Sequence, residues 1–123
     1  MRNIVVKDCT FVLSSGTGDI TIDTAPSSKV KADGKEVYTG DLQISIKNFT
    51  SPTITVAKSG SGSGILKPTA QKTKVEGKFV VLEGDQTQIT VNGQATSGSS
   101  TIPMSEIVTV TIQKANQDKV KGN

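Results

Sequence analysis

The chain has no histidine, no tryptophan and a single cysteine among its 123 residues. Without histidine the usual general base is missing, so no catalytic residue is assigned. Zinc needs about four N or S ligands in tetrahedral array, and Cys9 alone does not supply them. The acids also lack the close, regular spacing of a calcium loop, so neither a metal nor a cofactor is expected. A lone cysteine forms no internal disulfide. Cys9 sits in the apolar run "VVKDCTFVL" with no activating neighbour, and reads as a small buried hydrophobe. Aromatics are limited to Phe11, Tyr38, Phe49 and Phe79, too few for a carbohydrate-stacking face. The 14 Lys and Arg are interspersed along the chain with 11 Asp and Glu. With no basic run and no stacking aromatics, no nucleic-acid partner is expected. No apolar run approaches the roughly 20 residues of a membrane span, and "MRNIVVKDC" is too short and too charged for a signal peptide. Synthesis in the cytoplasm without a signal peptide is the expectation.

What is present is alternation. "DITID" (Asp19–Asp23), "QISIK" (Gln43–Lys47), "TITVAK" (Thr53–Lys58), "QITVN" (Gln88–Asn92) and "IVTVTIQ" (Ile107–Gln113) all repeat every second residue, the period of a strand. No window carries a helical stripe. Gly, Ser and Asp punctuate the strands at the spacing of an all-β domain. "SGSGSG" (Ser59–Gly64) reads as a flexible connector. "ATSGSS" (Ala95–Ser100) reads as a second loop, and "KANQDKVKGN" as a polar, frayed tail.

The chain also repeats itself. "KVKADGKEVYTGD" (Lys29–Asp41) returns as "KTKVEGKFVVLEGD" (Lys72–Asp85), with Gly34 and Gly77 43 residues apart. Repeats of this period mark copies of one supersecondary unit. Each copy reads as strand, turn, strand, turn, strand. Gly34 and Gly77 supply the positive φ of a tight hairpin, and Gly40-Asp41 and Gly84-Asp85 form the second turn. "TVNGQATSG" (Thr90–Gly98), with Asn92-Gly93, reads as a partial third hairpin. The expected fold is all-β: a small cone-like or prism-like domain of β-hairpin repeats in pseudo-threefold arrangement, with no substantial helix. Its layout is N-terminal strands (1–24), repeat 1 (25–58), the connector (59–64), repeat 2 plus the partial third hairpin (65–98), a C-terminal strand (99–114) and the tail (115–123).

The order Val30, Asp33, Gly34, Lys35, Val37, Gly40, Asp41, answered by Val75, Glu76, Gly77, Lys78, Val80, Gly84, Asp85, resembles the repeat of the PAAR family. The resemblance covers roughly residues 25–96. It implies a cone that sharpens the trimeric β-helical spike of a contractile injection machine, as in type VI secretion, contractile phage tails and extracellular injection particles. The implied partner is a VgrG-type spike trimer, one cap per trimer and no self-association, with effector cargo a further partner and the target membrane touched only in passing. The chain departs from the family in two ways. The proline-alanine-alanine-arginine tetrad is replaced by "KEVY" and "KFVV", and the histidines that hold zinc near the tip of many members are absent. A metal-free member is therefore expected. The Gly-Lys set (Gly34, Lys35, Gly77, Lys78, Asn92, Gly93) is expected to face the spike, with Lys35 and Lys78 as binding residues. The competing reading is a β-sandwich binding or structural subunit, such as a pilin-like, adhesive or virion protein.

Overall fold

Alternation becomes strand throughout. The computed structural model describes residues 1–50, 57–97 and 100–123, and among them it contains twelve strands and no helix. In chain order these are β1 (Arg2–Asn3), β2 (Thr10–Leu13), β3 (Thr17–Ile22), β4 (Lys31–Ala32), β5 (Lys35–Glu36), β6 (Leu42–Thr50), β7 (Ala57–Leu66), β8 (Lys74–Val75), β9 (Lys78–Phe79), β10 (Gln86–Ser97), β11 (Ser100–Lys114) and β12 (Lys121–Gly122). Six of them form one antiparallel sheet in the order β2-β11-β10-β7-β6-β3. The two edge strands, β2 and β3, are consecutive in the chain, and the sheet curls into a nearly closed barrel. The other six strands pair as three small hairpins, β4–β5, β8–β9 and β1–β12. The domain is all-β, as expected, and its large sheet is continuous rather than split into two stacked layers.

Inside the barrel the period of two fixes what is buried. Leu42, Ile44 and Ile46 on β6, Ile89 and Val91 on β10, and Val108, Val110 and Ile112 on β11 all face inward, each at most 1% exposed. Removing one such side chain from water contributes about 2 kcal/mol. The alternation on β6 is broken once, at Asn48 (φ +55°), where the pairing to β7 shifts register between Ile46 and Phe49. This bulge turns Phe49 inward again, at the end of the barrel away from the hairpins. Gly16 makes room for it, since a Cβ there would lie 2.7 Å from the Phe49 ring.

Ser59–Gly64 is not a connector. It forms the middle of β7, hydrogen-bonded between β6 and β10. The reason is steric. A Cβ on Gly60 would come within 2.6 Å of the Asn92 carbonyl oxygen, and one on Gly62 within 2.4 Å of that of Thr90. Glycine at alternate positions lets β10 curl across β7 more closely than any side chain allows, which is how a small sheet turns a tight corner. Inward bulk therefore falls along β7 from Leu66 next to the hairpins to Gly64, Gly62 and Gly60 farther out. Flexibility is what a Gly-Ser run has when nothing pairs it, and here both neighbours do.

Three further expectations change. Asn92 and Gly93 make no turn; they lie within β10, opposite Ser105 and Met104 on β11. β10 and β11 pair as far as Ser97↔Ser100, so Ala95–Ser97 and Ser100, expected in a loop, are strand, and residues 98–99 lie outside the described residues. Most of the strand expected over Thr53–Lys58 also lies outside them. The tail is not frayed: Ala115 is buried and β12 pairs with β1. Gln117, 8% exposed, donates from Nε2 to the Ile4 and Val120 carbonyls, each at 2.7 Å. Its Oε1 accepts from the amides of Lys119 (2.9 Å) and Val120 (2.8 Å). Gln117→Ala leaves several of these groups unpaired and is expected to cost about 2 kcal/mol, read as a lower urea midpoint with an unchanged slope.

Candidate partner-binding cap

Three short segments, Ile4–Val6, Val37–Thr39 and Val80–Leu82, meet at one end of the barrel. Each touches the next through a single antiparallel bridge: Val6↔Val37, Thr39↔Val80 and Leu82↔Ile4. The last residue of one always meets the first of the next, so the three close into a ring. Their central residues are tied the same way. The Tyr38 amide donates to the Val5 carbonyl (3.1 Å), Val5 to Val81 (2.8 Å) and Val81 to Tyr38 (3.2 Å). A second cycle surrounds the first, with Lys7 donating to Glu36, Gly40 to Phe79 and Glu83 to Asn3, each at 2.9 Å. The alternation of the ring divides the core. Val5, Tyr38 and Val81 point into the barrel, whereas Ile4, Val6, Val37, Val80 and Leu82 point the other way, into a second cluster with Ala32 and Ala70. This second cluster and the three hairpins around it form the cap.

The ring reveals the third copy of the repeat. The amide of each leading ring residue donates to a residue that precedes a hairpin strand: Val37 to Val30, Val80 to Thr73 and Ile4 to Val120, at 3.1–3.3 Å. The third hairpin is therefore β12 and β1, drawn from the two ends of the chain. Asn123 and Met1 stand where the other copies have Asp33-Gly34 and Glu76-Gly77. In those copies both turn residues have positive φ (+53° and +77°, +53° and +80°), the geometry of a two-residue type I′ hairpin.

Each hairpin rests on the segment leading into another copy. Lys35 Nζ donates to the Asn116 carbonyl at 2.7 Å, and Asp33 pairs with Lys119 at 3.6 Å. Glu76 accepts from the Ser27 hydroxyl at 2.6 Å. The Asn123 carbonyl accepts from the amides of Lys72 and Thr73, both at 2.8 Å. The first hairpin thus lies on the third copy, the second on the first and the third on the second.

The expected site residues sort themselves against this frame. Gly34, Lys35, Gly77 and Lys78 are all in cap hairpins, and the Lys78 stem lies over Gly40. Asn92 and Gly93 are remote, in the barrel sheet. Gly40 (φ +72°) and Gly84 (φ +95°) lead from the ring toward the barrel, a place the third copy fills with Asp8 (φ +67°). Asp41 and Asp85, alike in sequence, differ in setting. Asp41 is exposed. Asp85 is 1% exposed and accepts from Arg2 Nη1 (3.2 Å), the Leu82 amide (2.9 Å), the Thr69 amide (3.3 Å) and the Thr69 hydroxyl.

No family model, curated protein or solved structure matches this chain. Among the described residues, no three His, Cys, Asp or Glu side chains gather where a metal ion would be held. Cys9 packs against the barrel cluster, and burial, with a smaller push from Asp8, raises its thiol to about 11 against a local backbone hydrogen bond. Burial likewise raises the Tyr38 phenol, helped by the charges of Cys9, Asp8 and Glu36. Both groups hold their protons more tightly when folded. Their contribution to stability is complete below the unfolded values and is lost as pH rises through the folded ones. For Cys9 that window runs from 9.0 to about 11. Alkaline titration of the folded chain should show stability falling across this window, and less steeply in Cys9→Ala. Thiol alkylation at pH 8 should be far slower than for an exposed cysteine.

The sequence concealed one feature that the cap displays. The pattern Lys-x-Lys opens all three copies, at Lys29-Lys31, Lys72-Lys74 and Lys119-Lys121, and a third cation follows at Lys35, Lys78 and Arg2. Nine of the 14 basic residues therefore occupy three equivalent positions around one end of the molecule.

Proposed function

We propose that this chain is a non-enzymatic cap seated on the end of a trimeric β-helical spike, where it forms the point of a contractile injection machine. The observation that supports this is the closed ring of three equivalent segments, joined head to tail by cyclic hydrogen bonds. A single chain with that symmetry meets three identical protomers in three similar ways, a heterologous contact that calls for no self-association. The remaining features suit a part that carries load. The ring ties all three copies together, each hairpin is pinned by another copy, and a nearly closed barrel leaves little free strand edge. The role proposed for the cap is mechanical. On this reading the chain is made in the cytoplasm, travels on the injection particle, and touches the target membrane only during piercing. The β-sandwich alternative has no support in a sheet that is continuous.

Light scattering of a mixture with the trimeric spike protein of the same genome tests the proposal. One chain per trimer is expected. Three chains per trimer, or no complex, would contradict it.

A further inference from the structure

Resting on that reading, we infer that the spike end bound by this cap is acidic and presents its negative charge in three-fold repeat. The inference comes from where the lysines are, not from how many there are. Lys31, Lys74 and Lys121 open the three cap hairpins in the same register, opposite Glu36, Phe79 and Asn3. All three are exposed, while the residue after each, Ala32, Val75 or Gly122, is buried or half-buried. Lys29, Lys72 and Lys119 stand two residues earlier and are exposed as well.

Several cap cations already have work inside the molecule. Arg2 pairs with Asp85, Lys35 bonds the Asn116 carbonyl, and Lys119 meets Asp33. The ammonium groups of Lys29, Lys31, Lys72 and Lys121 bond no described residue, and Lys74 lies only over the Phe79 ring, 4.7 Å from its centre. An unpaired like-charge set gathered at one end of the molecule raises its own electrostatic energy, and an opposing set of the same symmetry relieves it. The three-fold placement favours a three-fold protein over a nucleic acid or an anionic membrane, since neither of those repeats its charge about such an axis. Interleaving with acids along the chain hides the basic set from a linear reading, and the ring gathers it.

The test is charge reversal at one position of all three copies, Lys31→Glu, Lys74→Glu and Lys121→Glu together. The control is Lys47→Glu, Lys67→Glu and Lys114→Glu, three exposed lysines outside the repeated set. Both proteins should keep the circular dichroism spectrum and melting behaviour of the parent. Affinity for the spike trimer is expected to fall about a hundredfold or more in the cap variant and to change by less than about threefold in the control. Each single reversal should weaken binding by a similar factor. Parent affinity should drop with added salt, and the cap variant should lose most of that dependence. A parent that binds one per trimer while the cap variant binds equally well would overturn the acidic-face inference and leave the cap intact. A parent that ignores the spike but binds heparin through these lysines would overturn both.

Discussion

Gly62→Val is expected to destabilise the barrel strongly. The position is a glycine in the middle of the six-stranded sheet, flanked by β6 and β10. A Cβ there would lie 2.4 Å from the Thr90 carbonyl oxygen, 3.1 Å from its carbon and 3.0 Å from Ile89 Cγ2. Two of these atoms are backbone of a strand paired on both sides, so they have nowhere to retreat. Overpacking a well-filled core typically costs about 1–3 kcal/mol, and a branched side chain forced against main chain belongs at or beyond the top of that range. A loss of about 3 kcal/mol or more would lower the melting temperature by roughly 10 °C or leave the chain unfolded. Gly34→Val is the informative contrast. Nothing lies within 4 Å of a Cβ at Gly34, and only its φ of +77° resists the change. That strain amounts to about 1–2 kcal/mol, so the protein should fold with a modestly lower midpoint. Thermal denaturation of the two variants side by side separates steric from conformational need.

Asp85→Ala should be nearly as damaging. This carboxylate is buried and accepts two amides, a hydroxyl and one guanidinium. Its partners come from β1, from the segment before β8 and from the ring itself, so one side chain joins the third copy to the second. Truncation leaves the Leu82 and Thr69 amides without an acceptor and removes one of three acceptors of Arg2, which keeps the Glu83 carbonyl and the Thr69 hydroxyl. Each buried amide left unpaired costs about 1–3 kcal/mol, while losing the pair with the exposed Arg2 adds little. Asp41→Ala, at the matching place in the other copy, should leave the unfolding midpoint where it was. Chemical denaturation of both variants would show whether two aspartates with the same neighbours in sequence differ as their burial requires.

Much of this architecture could be read from residue order. Period-two alternation marked the strands β3, β6, β10 and β11, and Asp33-Gly34 and Glu76-Gly77 marked two hairpins whose turn geometry the backbone bears out. Three readings failed for physical reasons. Ser59–Gly64 has the composition of a linker, but a tight barrel corner also demands glycine, and composition alone does not separate the two. Asn92-Gly93 is the strongest hairpin dipeptide, yet two partner strands hold it extended. The true third hairpin is split between "VKGN" and "MRNIV", so no contiguous window contains it. Its signal was nonetheless present, in the third Lys-x-Lys at Lys119–Lys121 and in "VVKD" echoing "VYTGD". Only the closure of the ring brings those pieces together, and with them the basic triplets.

The measurement that bears most directly on the central claim is disulfide trapping between the cap and the spike. In a Cys9→Ala background, Lys31→Cys, Lys74→Cys and Lys121→Cys are made one at a time and paired with a spike carrying one cysteine near its end. All three positions should cross-link to that same spike residue in similar yield, and the three together should capture all three protomers on one cap. Trapping at a single position, with the other two silent, would contradict the account.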